Sequence, residues 1–195
     1  MRLIIMGPPG AGKGTQARYI AERHGIPAIS TGDIFRANVA DATLLGLRAQ
    51  AYMDAGEYVP DEITNAMVRD RLQAADCHDG FLLDGYPRTL DQVAELDRVL
   101  ARLDARLDGV LLLSADPEEL VERLLGRART EGRADDTESV IRRRLAVYEE
   151  QTTPLVAAYE ERRLLVAVDG LGLVSEVTDR LQAAVAGLQR ATTAF

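Results

Sequence analysis

The run Gly7-Pro8-Pro9-Gly10-Ala11-Gly12-Lys13-Gly14-Thr15 carries the clearest chemistry in the chain. Two glycines five apart, followed at once by lysine, let the backbone curl so that several N–H groups point inward beside an ammonium, at the positive end of a following helix. Such a nest suits a polyphosphate. Lys13 is the only lysine among 23 basic side chains. A compact, strongly hydrated point charge fits a phosphate inside a tight loop better than a broad guanidinium does. Asp84 is the second candidate, because it ends the apolar run Phe81-Leu82-Leu83 just before Gly85-Tyr86-Pro87-Arg88. A carboxylate in that place can serve magnesium beside a phosphate loop; a turn aspartate preceding glycine is the competing structural reading. Arg36, Arg88, Arg123, Arg127, Arg133 and Arg144 all fall on or beside stretches that would face a ligand. Two phosphate-bearing substrates together would justify so many.

These residues need elements to hold them. Leu3-Ile4-Ile5-Met6 reads as a strand over 2–6, and the stripe Ala17, Ile20, Ala21, His24 as a helix over about 13–24, stopped by Gly25 and Pro27. A short strand at 28–30 leads to Ser30-Thr31-Gly32-Asp33, where Asp33 stands at capping-box spacing from Ser30. Helices follow at 42–54 and 62–75, then the strand ending on Asp84, a helix from Thr89 to about 104 and a strand over 109–113. Asp116-Pro117-Glu118-Glu119 opens a helix to about 127, with Arg123 and Arg127 one turn apart beside its buried face. Gly126 to Asp136 is polar and reads as a mobile loop with breaks at Gly126 and Gly132. A helix over about 137–160 places Arg144 on its inner rim and turns Arg142 and Arg143 outward, with a bend or break at Pro154. A last strand at 164–168 and a helix over about 174–189 complete the pattern. Apolar strands alternating with helices predict an α/β fold, a doubly wound parallel five-stranded sheet whose ligands bind beyond the carboxyl ends of the strands.

At 195 residues the chain fits one domain. A net charge of −8 argues against a nucleic-acid surface, and no apolar run is long enough to span a bilayer. With no secretory leader pattern, the chain reads as cytoplasmic. The single cysteine, Cys77, makes neither an internal disulfide nor a zinc site. A guanine-reading Asn-Lys-x-Asp motif is impossible with Lys13 as the sole lysine, and the His-Arg-Asp loop of protein kinases is absent.

Taken together, the glycine loop, Ser30-Thr31-Gly32-Asp33-Ile34-Phe35-Arg36, Asp84-Gly85-Tyr86-Pro87-Arg88-Thr89 with Gln92, Gly132-Arg133-Ala134-Asp135-Asp136 and Arg144 resemble the adenylate kinases of the nucleoside monophosphate kinase family, and the likeness continues into Asp169-Gly170. The resemblance implies ATP + AMP ⇌ 2 ADP with Mg2+, a single domain over 1–195, a helical AMP-binding insertion at about 30–59 and a short lid at about 126–136. By the same resemblance Gly10, Ala11, Gly12, Lys13, Gly14 and Thr15 hold the ATP phosphates, Arg123 and Arg127 contact ATP, and the backbone of Gly172 lies against the ATP base. Thr31, Arg36, the backbone of Glu57, Tyr58 and Val59, the turn Gly85, Tyr86, Pro87 and Arg88, and Gln92 hold AMP. Arg133 and Arg144 reach the AMP phosphate and the group in transit. The resemblance also implies a monomer.

The chain departs from the family pattern at three places. Tyr86 stands where phenylalanine is usual and Tyr58 where an aliphatic residue is common, which leaves backbone contacts intact but puts the shape of the AMP pocket in question. Gly14 rather than Ser or Thr follows the lysine, so magnesium is expected on substrate oxygens and waters, with Asp84 acting through water. The short lid offers no zinc ligands. The attacking AMP oxygen is already ionised at neutral pH, so no general base is required, and His24 and His78 read as surface or helix-end residues. A uridylate or cytidylate kinase on the same scaffold, and a non-catalytic nucleotide sensor, are the competing readings.

Overall fold

A computed structural model of the chain describes residues 1–131 and 137–193. Among them, five strands form one sheet: β1 (Arg2–Met6), β2 (Ala28–Ser30), β3 (Phe81–Asp84), β4 (Gly109–Ser114) and β5 (Leu165–Asp169). The order is β2-β3-β1-β4-β5 and every neighbouring pair is parallel, so all five carboxyl ends lie on one edge. β1 is central, and the glycine loop at its end opens where strand order diverges to either side.

The strands are near-continuous apolar runs because both faces are covered. Leu3 and Ile5 of β1 point into one core with Ala17, Ile20 and Ala21 of α1 (Lys13–His24) and Val177, Leu181 and Val185 of α9 (Val174–Thr193). Ile4 and Met6 point into the other with Val68 and Leu72 of α4 (Asp61–Leu72), Val93 and Leu96 of α5 (Leu90–Arg102) and Leu155 and Tyr159 of α8 (Pro154–Glu161). Each fully buried aliphatic side chain contributes about 1.5–3 kcal/mol, so this double layer makes the sheet a rigid base. The helices α2 (Thr31–Ala40) and α3 (Leu44–Ala55) lie between β2 and β3 and carry a small core of their own, Phe35, Ala49 and Val59.

One local expectation is corrected. Helix α6 (Pro117–Glu131) continues through Gly126, where a break was predicted. A Cβ at Gly126 would meet nothing within 4 Å, so this glycine sits in open space and weakens the helix by only about 1 kcal/mol without ending it. The helix expected over 137–160 with a bend or break at Pro154 does break there and is three pieces: α7 (Glu138–Val147), a π-helical turn (Tyr148–Thr152) and α8. Pro154, at the first position of α8, has no N–H to give, and the wider preceding turn closes instead with Thr153 N–H donating to the Tyr148 carbonyl at 3.0 Å. Among the described residues no helix is long and apolar enough to cross a membrane.

Candidate active site

The glycine loop turns through left-handed backbone at Gly10 and Gly12, each at φ 87°. At Gly10 a side chain is also excluded by space, since a Cβ would stand 3.0 Å from the Leu120 carbonyl oxygen. This close approach ties the loop to α6, which brings Arg123 and Arg127. Helices α2, α3, α5 and α7 each begin with a side-chain oxygen, from Ser30, Thr43, Thr89 and Thr137, accepting a backbone N–H of the first turn. Helix α1 begins with Gly12, has no side-chain cap and carries no acid in its first turn. Its N–H groups and dipole are thus left for an outside anion.

Lys13 Nζ donates to the carbonyls of Gly7 at 2.8 Å and Pro8 at 2.9 Å, so the ammonium lies along the loop. Burial pulls its pKa down to about 8; Asp84 opposes that, while Arg88, Arg144 and Arg127 add to it. The ammonium is a cation among cations, held ready for a larger negative charge than Asp84 supplies. Asp84 is buried at the end of β3, and burial pushes its carboxyl above the usual range against the pull of Lys13 and Arg88.

A Cβ at Gly14 would stand 3.5 Å from Asp84 Oδ2, so the residue after the lysine leaves space beside the carboxylate. Among the described residues no three His, Cys, Asp or Glu side chains cluster to hold a metal ion. A buried carboxylate with room beside it at a phosphate nest, with Asp33 lining the same cavity, fits magnesium, which keeps most of its waters and takes its other ligands from phosphate. Thr15 is exposed at the same mouth.

Two cavities open above the sheet. One is lined by Thr31, Glu57, Tyr58, Val59, Pro87 and Gln92, the other by Gly10, Gly12, Gly14, Thr15, Arg123 and Arg127. Lys13, Arg36, Gly85, Arg88 and Arg144 line both. The predicted acceptor and donor sets are therefore brought to adjoining spaces, with the lysine at the junction. Arg123 is paired with Glu119 at 3.0 Å and Arg36 with Asp33 at 2.5 Å. The buried Thr31 hydroxyl donates to the Gly85 carbonyl at 2.9 Å, joining the start of α2 to the turn after β3.

Some predicted residues stand elsewhere. Ala11 is buried in the core beneath the loop and lines neither cavity, its N–H donating to the Pro8 carbonyl at 3.2 Å. Gly172 is exposed in the loop before α9 and likewise lines neither. The Tyr86 ring is buried in the sheet core, and its hydroxyl donates to Asn65 Oδ1 at 2.7 Å, so this departure leaves the cavity wall unchanged. Arg143 is exposed, as expected, and pairs there with Glu57 of the connection between α3 and α4 at 2.5 Å. Arg133 lies outside the described residues.

Sequence reasoning missed three participants. Asp61 accepts from Thr89 Oγ1 and from Gln92 Nε2, both at 2.6 Å, while Gln92 Oε1 accepts from Arg88 N–H at 2.7 Å, so Gln92 is braced from both sides. Thr152 and Tyr148, from the π-helical turn, line the first cavity. The only sequence signal for these two was Pro154, which marked an irregularity without saying which side chains it would turn inward.

A lysine and arginines shared by two adjoining cavities have work only where two phosphate chains meet. Fold and site together define a phosphoryl-transfer enzyme of the phosphate-loop class with two nucleotide sites. The family model described as adenylate kinase matches residues 5–164. The chain is 64% identical to an adenylate kinase of Kocuria rhizophila over 94% of its own length and 98% of the relative's. It is 64% identical to one of a Nocardioides species over 93% and 95%, and 58% identical to one of Thermobifida fusca over 95% and 98%. The chain belongs to the adenylate kinase family, and its activity is ATP:AMP phosphotransfer, with ATP, AMP and ADP as its nucleotides.

Proposed function

We propose that the terminal phosphoryl group of ATP passes by in-line displacement to AMP across the junction of the two cavities, giving two ADP. The sharing of Lys13, Arg88 and Arg144 between the cavities carries this reading. The loop from Gly10 to Thr15 binds the ATP phosphates, with Ala11 shaping the loop from beneath, and Arg123 and Arg127 flank the chain of phosphates. Gly172 offers its backbone to the ATP base. Thr31, Arg36, the backbone over Glu57, Tyr58 and Val59, the turn from Gly85 to Arg88, and Gln92 bind AMP. Arg133 and Arg144 reach the AMP phosphate and the group in transit.

The protein's contribution is alignment of two repelling anions and neutralisation of charge that spreads over the transferred group; Lys13 and the arginines donate to those oxygens. The nucleophile is already ionised, so no side chain need take its proton. When bound, magnesium supplies additional positive charge to the donor phosphates, and Asp84 would hold it through water. The stretch 126–136, helical as far as Glu131, acts as the lid and residues 30–59 as the AMP-binding insertion of a single domain over 1–195. We further place the protein in the cytoplasm as a monomer that needs no zinc and binds neither nucleic acid nor membrane, in keeping with its net charge of −8 and single cysteine.

The division of labour is tested by steady-state kinetics with each substrate varied in turn. Arg36→Ala should raise KM for AMP about tenfold or more with a smaller change for ATP, Arg123→Ala and Arg127→Ala should do the reverse, and Arg88→Ala, at the junction, should raise KM for AMP and lower kcat as well. Equal effects on both substrates from all four would overturn the assignment.

A further inference from the structure

The side chain of Tyr58 touches the arginine on which acceptor binding depends. Its ring lies under the Arg88 guanidinium, with the Arg88 Cζ 4.7 Å from the ring centroid, inside the range where the negative face of an aromatic ring attracts a cation. The Tyr58 hydroxyl is 2.7 Å from Thr152 Oγ1, and Thr152 Oγ1 donates to the Arg88 carbonyl at 2.9 Å. A threonine hydroxyl has one proton, and here it goes to that carbonyl, so Tyr58 must be the donor to Thr152. A directed chain therefore runs from Tyr58 O–H through Thr152 to the Arg88 backbone, while the ring holds the head of the same residue. Thr152 is buried, so its hydrogen bonds are made without competition from solvent.

Arg88 is fixed at other points as well. Its N–H donates to Gln92 Oε1 at 2.7 Å and its Nε to the Gly85 carbonyl at 2.8 Å. Nε is thereby spent on the protein, and among the described residues Nη1 and Nη2 make no hydrogen bond to protein. Arg88 lines both cavities, so these are the donors left to meet a phosphate. The guanidinium is tied on one side by the Nε bond to Gly85 and lies on the other over the ring of Tyr58, a residue of the connection between α3 and α4, while Thr152 of the π-helical turn holds the Arg88 backbone. The contact joins three separate segments at one arginine.

We propose that the Tyr58 side chain is a positioning residue for Arg88, pre-orienting its guanidinium toward the acceptor phosphate through the ring and through the hydroxyl relay to Thr152. This rests on the reading of Arg88 as a ligand of AMP. A leucine at position 58 could fill space and keep the backbone contact, but it has neither the negative ring face nor the hydroxyl. Arg88 would then sample other rotamers before AMP binds, and the cost of ordering it would fall on acceptor affinity. Tyr58→Phe keeps the ring and loses the relay, so its effect should be smaller.

The test is a double-mutant cycle on the full chain, with AMP and ATP affinities measured by calorimetry and KM and kcat by coupled assay. Tyr58→Leu should weaken AMP binding about three- to tenfold, leave ATP binding within about twofold, and act mainly on KM for AMP. Tyr58→Phe should stay within about threefold. In an Arg88→Ala background the Tyr58→Leu effect should vanish, because nothing remains for the ring to orient. Persistence of the full effect without Arg88, or equal weakening of ATP, would overturn the proposal. An Arg88→Ala variant with normal AMP affinity would instead overturn the acceptor reading of Arg88. In unmutated protein, the Arg88 Nη protons should resonate upfield from ring-current shielding, and their absence from that region would contradict the stacking without recourse to any variant.

Discussion

Replacing Lys13 with methionine should stabilise the resting protein while destroying its activity. A lysine in the unfolded chain holds its proton to about pH 10.5, whereas Lys13 in the fold, desolvated and facing three arginines, holds it only to about 8. That difference corresponds to roughly 3 kcal/mol at about 1.36 kcal/mol per tenfold in acidity, and at pH 7 it is the cost of keeping the ammonium charged in its site. Between pH 8 and 10.5 the unfolded chain carries a proton that the folded chain has lost, so folding becomes more favourable as pH rises through that window. Methionine has similar length and no charge. It forfeits the bonds to the Gly7 and Pro8 carbonyls, which offsets part of the gain and leaves about 1–3 kcal/mol at pH 7. For a chain of this length that raises Tm by about 2–12 °C. Thermal unfolding of both proteins at pH 7 and pH 9.5 should show the advantage of Lys13→Met at pH 7 and its shrinkage at pH 9.5. Turnover should fall by at least ~10³, since donors aimed at developing charge are lost. A methionine variant that is less stable at pH 7, or whose advantage does not change with pH, would refute the electrostatic reasoning; near-normal turnover would refute the role of the loop.

Asp84 is the opposite case. Burial raises its folded pKa above the unfolded value, so it contributes stability at acid pH that is lost as pH rises through the folded pKa; Asp84→Asn should flatten that decline in melts from pH 4 to 7 and lower magnesium-dependent turnover. After metal is stripped, magnesium should restore full activity and zinc should not, and a zinc-selective chelator should leave Tm unchanged.

The reasons some features were legible in the sequence and others were not are local. β1, α1 and the loop between them are specified within residues 2–24, because strand, nest and helix each need particular neighbours in sequence. Asp84 could be placed because an apolar strand fixes where its end must be. The Tyr58, Thr152 and Arg88 contact joins residues up to 94 apart, and no periodicity reports it. Arg143 was turned outward by helical geometry, correctly for its own helix, but Glu57 of the connection between α3 and α4 comes to meet it there. Glycine is a poor helix former and Gly126 reads as a break in sequence, yet helix α6 runs on through it to Glu131, so its neighbours outweigh a single glycine. Tyr86 lies at the end of β3 with its ring among core residues, and only packing could show that its hydroxyl finds Asn65 rather than a nucleotide.

On the proposed function one cleft holds donor and acceptor at once, with Lys13, Arg88 and Arg144 between them. Two adenosines joined by five phosphates span both sites, so calorimetry should show one molecule of this analogue bound per chain, with a larger rise in Tm than ATP or AMP gives alone. Arg144→Ala should lose much of that stabilisation, whereas Arg142→Ala, exposed and paired with Glu138 at 2.8 Å, should lose little. Two molecules bound per chain, or equal losses at Arg142 and Arg144, would contradict the account.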